Sequence, residues 1–101
     1  MKIRFQSNSI RFRLTPSELT ALSEKRGLCE VITFPTGQLS FVIQLSDVLQ
    51  EMCSRYENGV ICVLIPFGWL PEWLSGKKTG YEIKIPTPDL PLTVIVERDF
   101  E

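Results

Sequence analysis

A chain of 101 residues has room for one core but not two, and its 44% hydrophobic and 23% charged residues exclude a disordered polymer. A net charge of −1 excludes whole-protein attraction to a phosphate backbone, so no nucleic-acid partner is expected. No run approaches the ~18 apolar residues of a membrane span, and the start MKIRFQ lacks the apolar region of a secretory signal, so neither a membrane partner nor export is expected.

In chain order, the opening reads as a hairpin. Ile3 and Phe5 alternate with Lys2, Arg4 and Gln6, then Ile10, Phe12 and Leu14 with Arg11 and Arg13, about a Ser7-Asn8-Ser9 turn. Phe5 facing Ile10 puts Phe12 opposite Ile3, Arg11 opposite Arg4 and Arg13 opposite Lys2, with one face apolar and the other four cations. Thr15, Pro16 and Glu18 supply an N-cap, a first-turn proline and a capping box for a helix over 16–26. Gly27 stands where a left-handed C-terminal residue is wanted.

Cys29–Phe34 and Leu39–Leu45 read as strands about Pro35-Thr36-Gly37. Ser46–Tyr56 is ambiguous. Leu45, Val48, Leu49, Met52, Cys53 and Tyr56 share a helical face, yet Asn58-Gly59 is a hairpin turn that requires an incoming strand over Met52–Glu57. Val60–Ile65 is apolar throughout and predicts a strand buried on both faces. Trp69/Trp73 and Leu70/Leu74 have helical spacing in a short helix ending at Gly76, and Tyr81–Ile85 and Leu92–Glu97 complete the strands around a proline-rich connection.

These elements predict a single α+β domain over residues 1–101. It has up to eight short strands in a mainly antiparallel sheet, curled, barrel-like or folded as a sandwich, with two short helices. No internal repeat is visible. Three cysteines, Cys29, Cys53 and Cys62, an odd number without a CxxC pair, read as buried free thiols in a reducing, cytoplasmic compartment.

The opening MKIRFQSNSIRFRLTPSEL, the hairpin YENGVICVLIP with its Trp-containing helical segment, and the ending LTVIVERDF resemble a family of small uncharacterised bacterial proteins, a domain of unknown function. The likeness spans nearly the whole chain and is sharpest in IRFRLTPSE. It implies a strand at 52–56. It also implies a short tail, with a Cys and an FPNP-like stretch, beyond the point where this chain stops at Glu101. The family supplies no catalytic residues to carry over.

Chemistry narrows by subtraction. Without histidine there is no Ser-His-Asp or Cys-His arrangement and no commonest zinc ligand, and neither GxxxxGK[ST] nor GxGxxG occurs, so no cofactor, metal or catalytic residue is assigned. Two features remain. Lys2, Arg4, Arg11 and Arg13 are a solvated face, a partner for the acidic end at Glu97 and Asp99, or a site for a phosphate or carboxylate. Trp69 and Trp73 are core anchors or an interaction surface. The expected function is a non-enzymatic binding or assembly module, with a second copy or another protein as partner. The alternative is a small enzyme or binding protein for an anion held by the basic hairpin.

Overall fold

A computed structural model describes residues 1–99, which separate into two compact units, Met1–Thr20 with Pro71–Glu101 and Ala21–Leu70. Each unit is built on an open four-stranded sheet, so the fold is α+β and neither sheet closes into a barrel. No helix among the described residues is long and apolar enough to cross a membrane.

The first sheet runs β1 (Lys2–Gln6), β2 (Ser9–Leu14), β8 (Leu92–Arg98), β7 (Gly80–Ile85). The β1–β2 register is the one the alternation predicts, with Ile3 opposite Phe12, Arg4 opposite Arg11 and Phe5 opposite Ile10. Ser7 takes the positive φ, 52°, that a two-residue turn demands. The second sheet runs β3 (Gly27–Phe34), β4 (Gly37–Ser46), β6 (Val60–Pro66), β5 (Cys53–Glu57). The Asn58-Gly59 turn, with φ of 50° and 76°, thus wins against the helical periodicity of 46–56. The turn dictates a pairing partner, whereas a stripe of apolar residues suits either element.

α1 (Pro16–Lys25) starts as its capping residues require. The Thr15 amide donates to Glu18 Oε1 at 2.9 Å, the Glu18 amide donates to Thr15 Oγ1 at 3.2 Å, and the Met1 ammonium pairs with Glu18 Oε2. Leu19 and Leu22 are fully buried. Its end corrects the expectation. The left-handed residue is Arg26 (φ 65°), and Gly27 already begins β3. The other short helix is a 3-10 turn, Phe67–Trp69, leading into α2 (Leu70–Ser75). Arg98 Nη2 donates to the Trp73 and Leu74 carbonyls at its C-terminus, a position that favours a cation.

An internal repeat, invisible as residue identity, is explicit in the hydrogen bonding. Each half of the chain is a hairpin, a helix and a hairpin, and each sheet pairs two hairpins through parallel second strands, β2 with β8 and β4 with β6. A constant offset carries β1–β2 onto β5–β6 (Lys2 onto Cys53, Ser9 onto Val60), and another carries β3–β4 onto β7–β8 (Gly27 onto Gly80, Ser40 onto Thr93). Ser9 opposite Thr93 then corresponds to Val60 opposite Ser40. The Thr93 amide bonded to the Asn8 carbonyl (3.0 Å) likewise matches the Ser40 amide bonded to the Gly59 carbonyl (2.8 Å).

Each sheet buries one face. Phe12, Leu14, Val94 and Val96 line the first, and Phe41, Ile43, Leu45, Val63 and Ile65 line the second. β6 is therefore not buried on both faces, since Cys62 and Leu64 point to the other side and are only half-buried.

The matched glycines are under unequal constraint. A Cβ on Gly80 would lie 2.1 Å from the Val96 carbonyl oxygen, whereas one on Gly27 meets the Ile43 oxygen at an ordinary 3.5 Å. Gly80→Ala is expected to cost roughly 2–3 kcal/mol of unfolding free energy in urea titration. Gly27→Ala should be within about 0.5 kcal/mol of the native protein.

Candidate functional site

The basic hairpin face meets the chain's own acids. Parallel pairing places Arg13 beside Glu97, and Arg11 Nη1 donates to Glu97 Oε1 and Oε2 at 2.9 Å each while Arg13 Nε donates to Oε1 at 2.7 Å. Lys2 Nζ lies 3.1 Å from Asp99 Oδ2, and Asp99 is buried. Partial burial pushes Glu97 up, but the hydrogen bonds and charges of Arg11 and Arg13 outweigh it and hold its carboxyl below the ordinary range. Arg4, opposite Arg11 on the edge strand, is exposed and has no ion pair among the described residues.

Two open clefts beside this sheet, of about 420 and 540 Å³, are lined by the Ser7-Asn8 turn and the proline-rich connection. Lys84 is the cation there, and Lys2, Arg4, Arg11 and Arg13 line neither. The four candidate anion-binding residues thus share a face, three of them are committed to carboxylates, and they do not converge on these hollows.

Trp73 is fully buried, its indole Nε1 donates to the Thr79 carbonyl at 3.1 Å, and its ring meets Tyr81 edge-on at 5.9 Å. It is a core anchor. Trp69 is half-buried.

What the sequence reading missed is the open face of the second sheet. Cys29, Val42, Cys62 and Arg55 form one cross-strand row. Val31, Ser40, Val60 and Glu57 form the row on one side of it, and Gly27, Gln44, Leu64 and Cys53 the row on the other. The central strands β4 and β6 present no charge there, and the charges Arg55 and Glu57 stand only at the β5 rim. All three cysteines lie on this face. Cys29 is exposed and the other two half-buried, which corrects the expectation of buried thiols. Burial pushes the Cys62 thiol up, which keeps it protonated and a poor nucleophile. No group of three or more metal-ligating side chains gathers among the described residues.

The repeat provides an internal control. Arg11, Arg13, Glu82, Lys84 and Glu97 on the open face of the first sheet correspond to Cys62, Leu64, Cys29, Val31 and Gln44 on the second. One fold thus presents an ion-paired face and an apolar one.

Over residues 1–101 the sequence matches a family of unknown function, DUF7009. The chain belongs to that family. No curated protein and no solved structure matches it. Membership agrees with the expectation of an uncharacterised domain over nearly the whole chain, and assigns no activity to DUF7009.

Because Glu97 is lowered in the folded protein, its contribution is present above the unfolded carboxylate value of ~4.3 and is lost as the pH falls through the folded value. Glu97→Gln is expected to cost roughly 1 kcal/mol at pH 7, in keeping with partly exposed partners. It should also flatten the loss of melting temperature below about pH 4.5.

Proposed function

We propose that this protein is a non-enzymatic binding or assembly module of the bacterial cytoplasm, and that the β3–β4–β6–β5 sheet is its contact surface. The carrying observation is the internal contrast. Positions that hold Arg11, Arg13, Glu82 and Lys84 in one sheet hold Cys62, Leu64, Cys29 and Val31 in the other, at the same register. The fold tolerates a charged open face, so the apolar one is not a requirement of folding. Half-buried apolar residues running across an open sheet face, with Val31 exposed at its rim, form a patch of the kind that marks contact sites.

Edges point the same way. β1 carries Lys2 and Arg4, β5 carries Arg55 and Glu57, and β7 carries Glu82 and Lys84 and runs into Pro86, all devices that discourage strand addition. β3 has Glu30 alone, with Val31, Ile32 and Phe34 about half exposed. The offset that carries β3 onto β7 puts Pro86 at the place of Thr33 and Pro91 at that of Gln38. The β3–β4 ladder is thereby two pairs longer than β7–β8.

The anion-site alternative has less support, because Glu97 and Asp99 already occupy Arg11, Arg13 and Lys2. An anion at ten times its dissociation constant would add about 1.4 kcal/mol and raise the melting temperature by roughly 5 °C or more. We expect no rise with phosphate or citrate. A saturable rise abolished by Arg4→Ala would refute the module in favour of the anion site. On the apolar face, Val42→Lys is expected to reduce binding of an anilinonaphthalene dye by about half or more while leaving the melting temperature within a few degrees. Unchanged dye binding would remove the face from consideration.

A further inference from the structure

The backbone of β3 specifies what can pair with it. The Leu45 amide donates to the Arg26 carbonyl at 3.0 Å, so Arg26 and Leu45 are a hydrogen-bonded pair of the β3–β4 ladder. Such pairs alternate along an antiparallel ladder. Leu28, Glu30, Ile32 and Phe34 therefore bond inward to β4, and Cys29, Val31 and Thr33 turn their amides and carbonyls to the open side.

Any strand added antiparallel must meet those three residues with its own outward-facing groups. Two copies of β3 satisfy this with nearly full overlap in two registers, centred on Glu30 or on Val31. The first sets Glu30 against its own copy in a close, non-hydrogen-bonded pair, and like charges directly opposite are destabilising. The second sets Val31 against Val31 and Glu30 against Ile32. It also brings Leu28 against Phe34, so that Ile32 and Phe34, 47% and 52% exposed, gain apolar neighbours. Glu30 is the lone charge of β3, so this register sets no like charges directly opposite each other along its length.

We propose that the occupant of the β3 edge is a second copy of this chain, paired antiparallel about Val31 to join two four-stranded sheets into one of eight strands. This rests on the reading of the β3–β4–β6–β5 sheet as the contact surface. It leaves the open faces side by side as one larger apolar platform, with Val31 at the seam.

Sedimentation at concentrations up to roughly 100 µM tests it. The native protein is expected to run as a dimer. Val31→Lys, which sets two ammonium groups against each other at a half-exposed position, should raise the dissociation constant about tenfold or more with an unchanged circular dichroism spectrum. In a Cys29→Ser background, Val31→Cys should form a disulfide-linked dimer on mild oxidation, and Thr33→Cys, which this register sets opposite residue 29 of the other copy, should not. A native protein monomeric throughout this range, or Thr33→Cys cross-linking as readily as Val31→Cys, would overturn the pairing. A monomer whose dye binding still falls with Val42→Lys overturns the self-pairing alone. A monomer whose dye binding ignores that substitution overturns the contact surface as well.

Discussion

Parallel pairing between the second strands of two hairpins, β2 with β8 and β4 with β6, is the constraint from which the other features follow. A hairpin is marginal alone because half its backbone groups and one face stay in water. Joining two hairpins through their second strands satisfies the groups between them and leaves two edges per sheet instead of four. In the first sheet the same pairing brings the chain's ends together, so that Arg11 and Arg13 find Glu97. The clustering of cations in the opening hairpin, costly in isolation, is resolved by a strand more than eighty residues away.

The repeat turns one architecture into two surfaces. Matched positions share a strand register, so differences of residue type between them are not dictated by the pairing itself. Glu97 and Gln44 occupy the same place in their ladders, as do Arg11 and Cys62, yet one sheet presents a charged lattice and the other an apolar field. The edges diverge likewise. Prolines 86 and 91 cut the β7–β8 ladder short, whereas β3 continues to Phe34. This chain thus combines a sheet whose edge strands carry several charges, with Pro86 following β7, and one whose β3 edge carries the single charge of Glu30.

Residues with local signatures were legible. The capping box at Thr15 and Glu18, the Asn58-Gly59 turn and the Lys2–Leu14 alternation each encode their geometry within a few residues, and each appears in the structure. Less local features were misread. Val60–Ile65 looks like a strand buried on both sides because an apolar run reports hydrophobicity without reporting what covers it. Gly27 looks like a helix terminator because glycine suits that place, yet Arg26 adopts the left-handed conformation and Gly27 opens a strand.

From the sequence alone came the order of elements, the register of the first hairpin, the loss of histidine-dependent chemistry and the family likeness. These depend on residues close together in the chain or on composition, where the physics is short-ranged. Only the tertiary structure decided which strands pair in parallel, that Glu97 meets Arg11 and Arg13, and that Cys29, Val42, Cys62 and Val31 share one open face. The reason is that parallel partners carry no turn between them. Their register is set by which faces can be buried together, and that is a property of the whole chain.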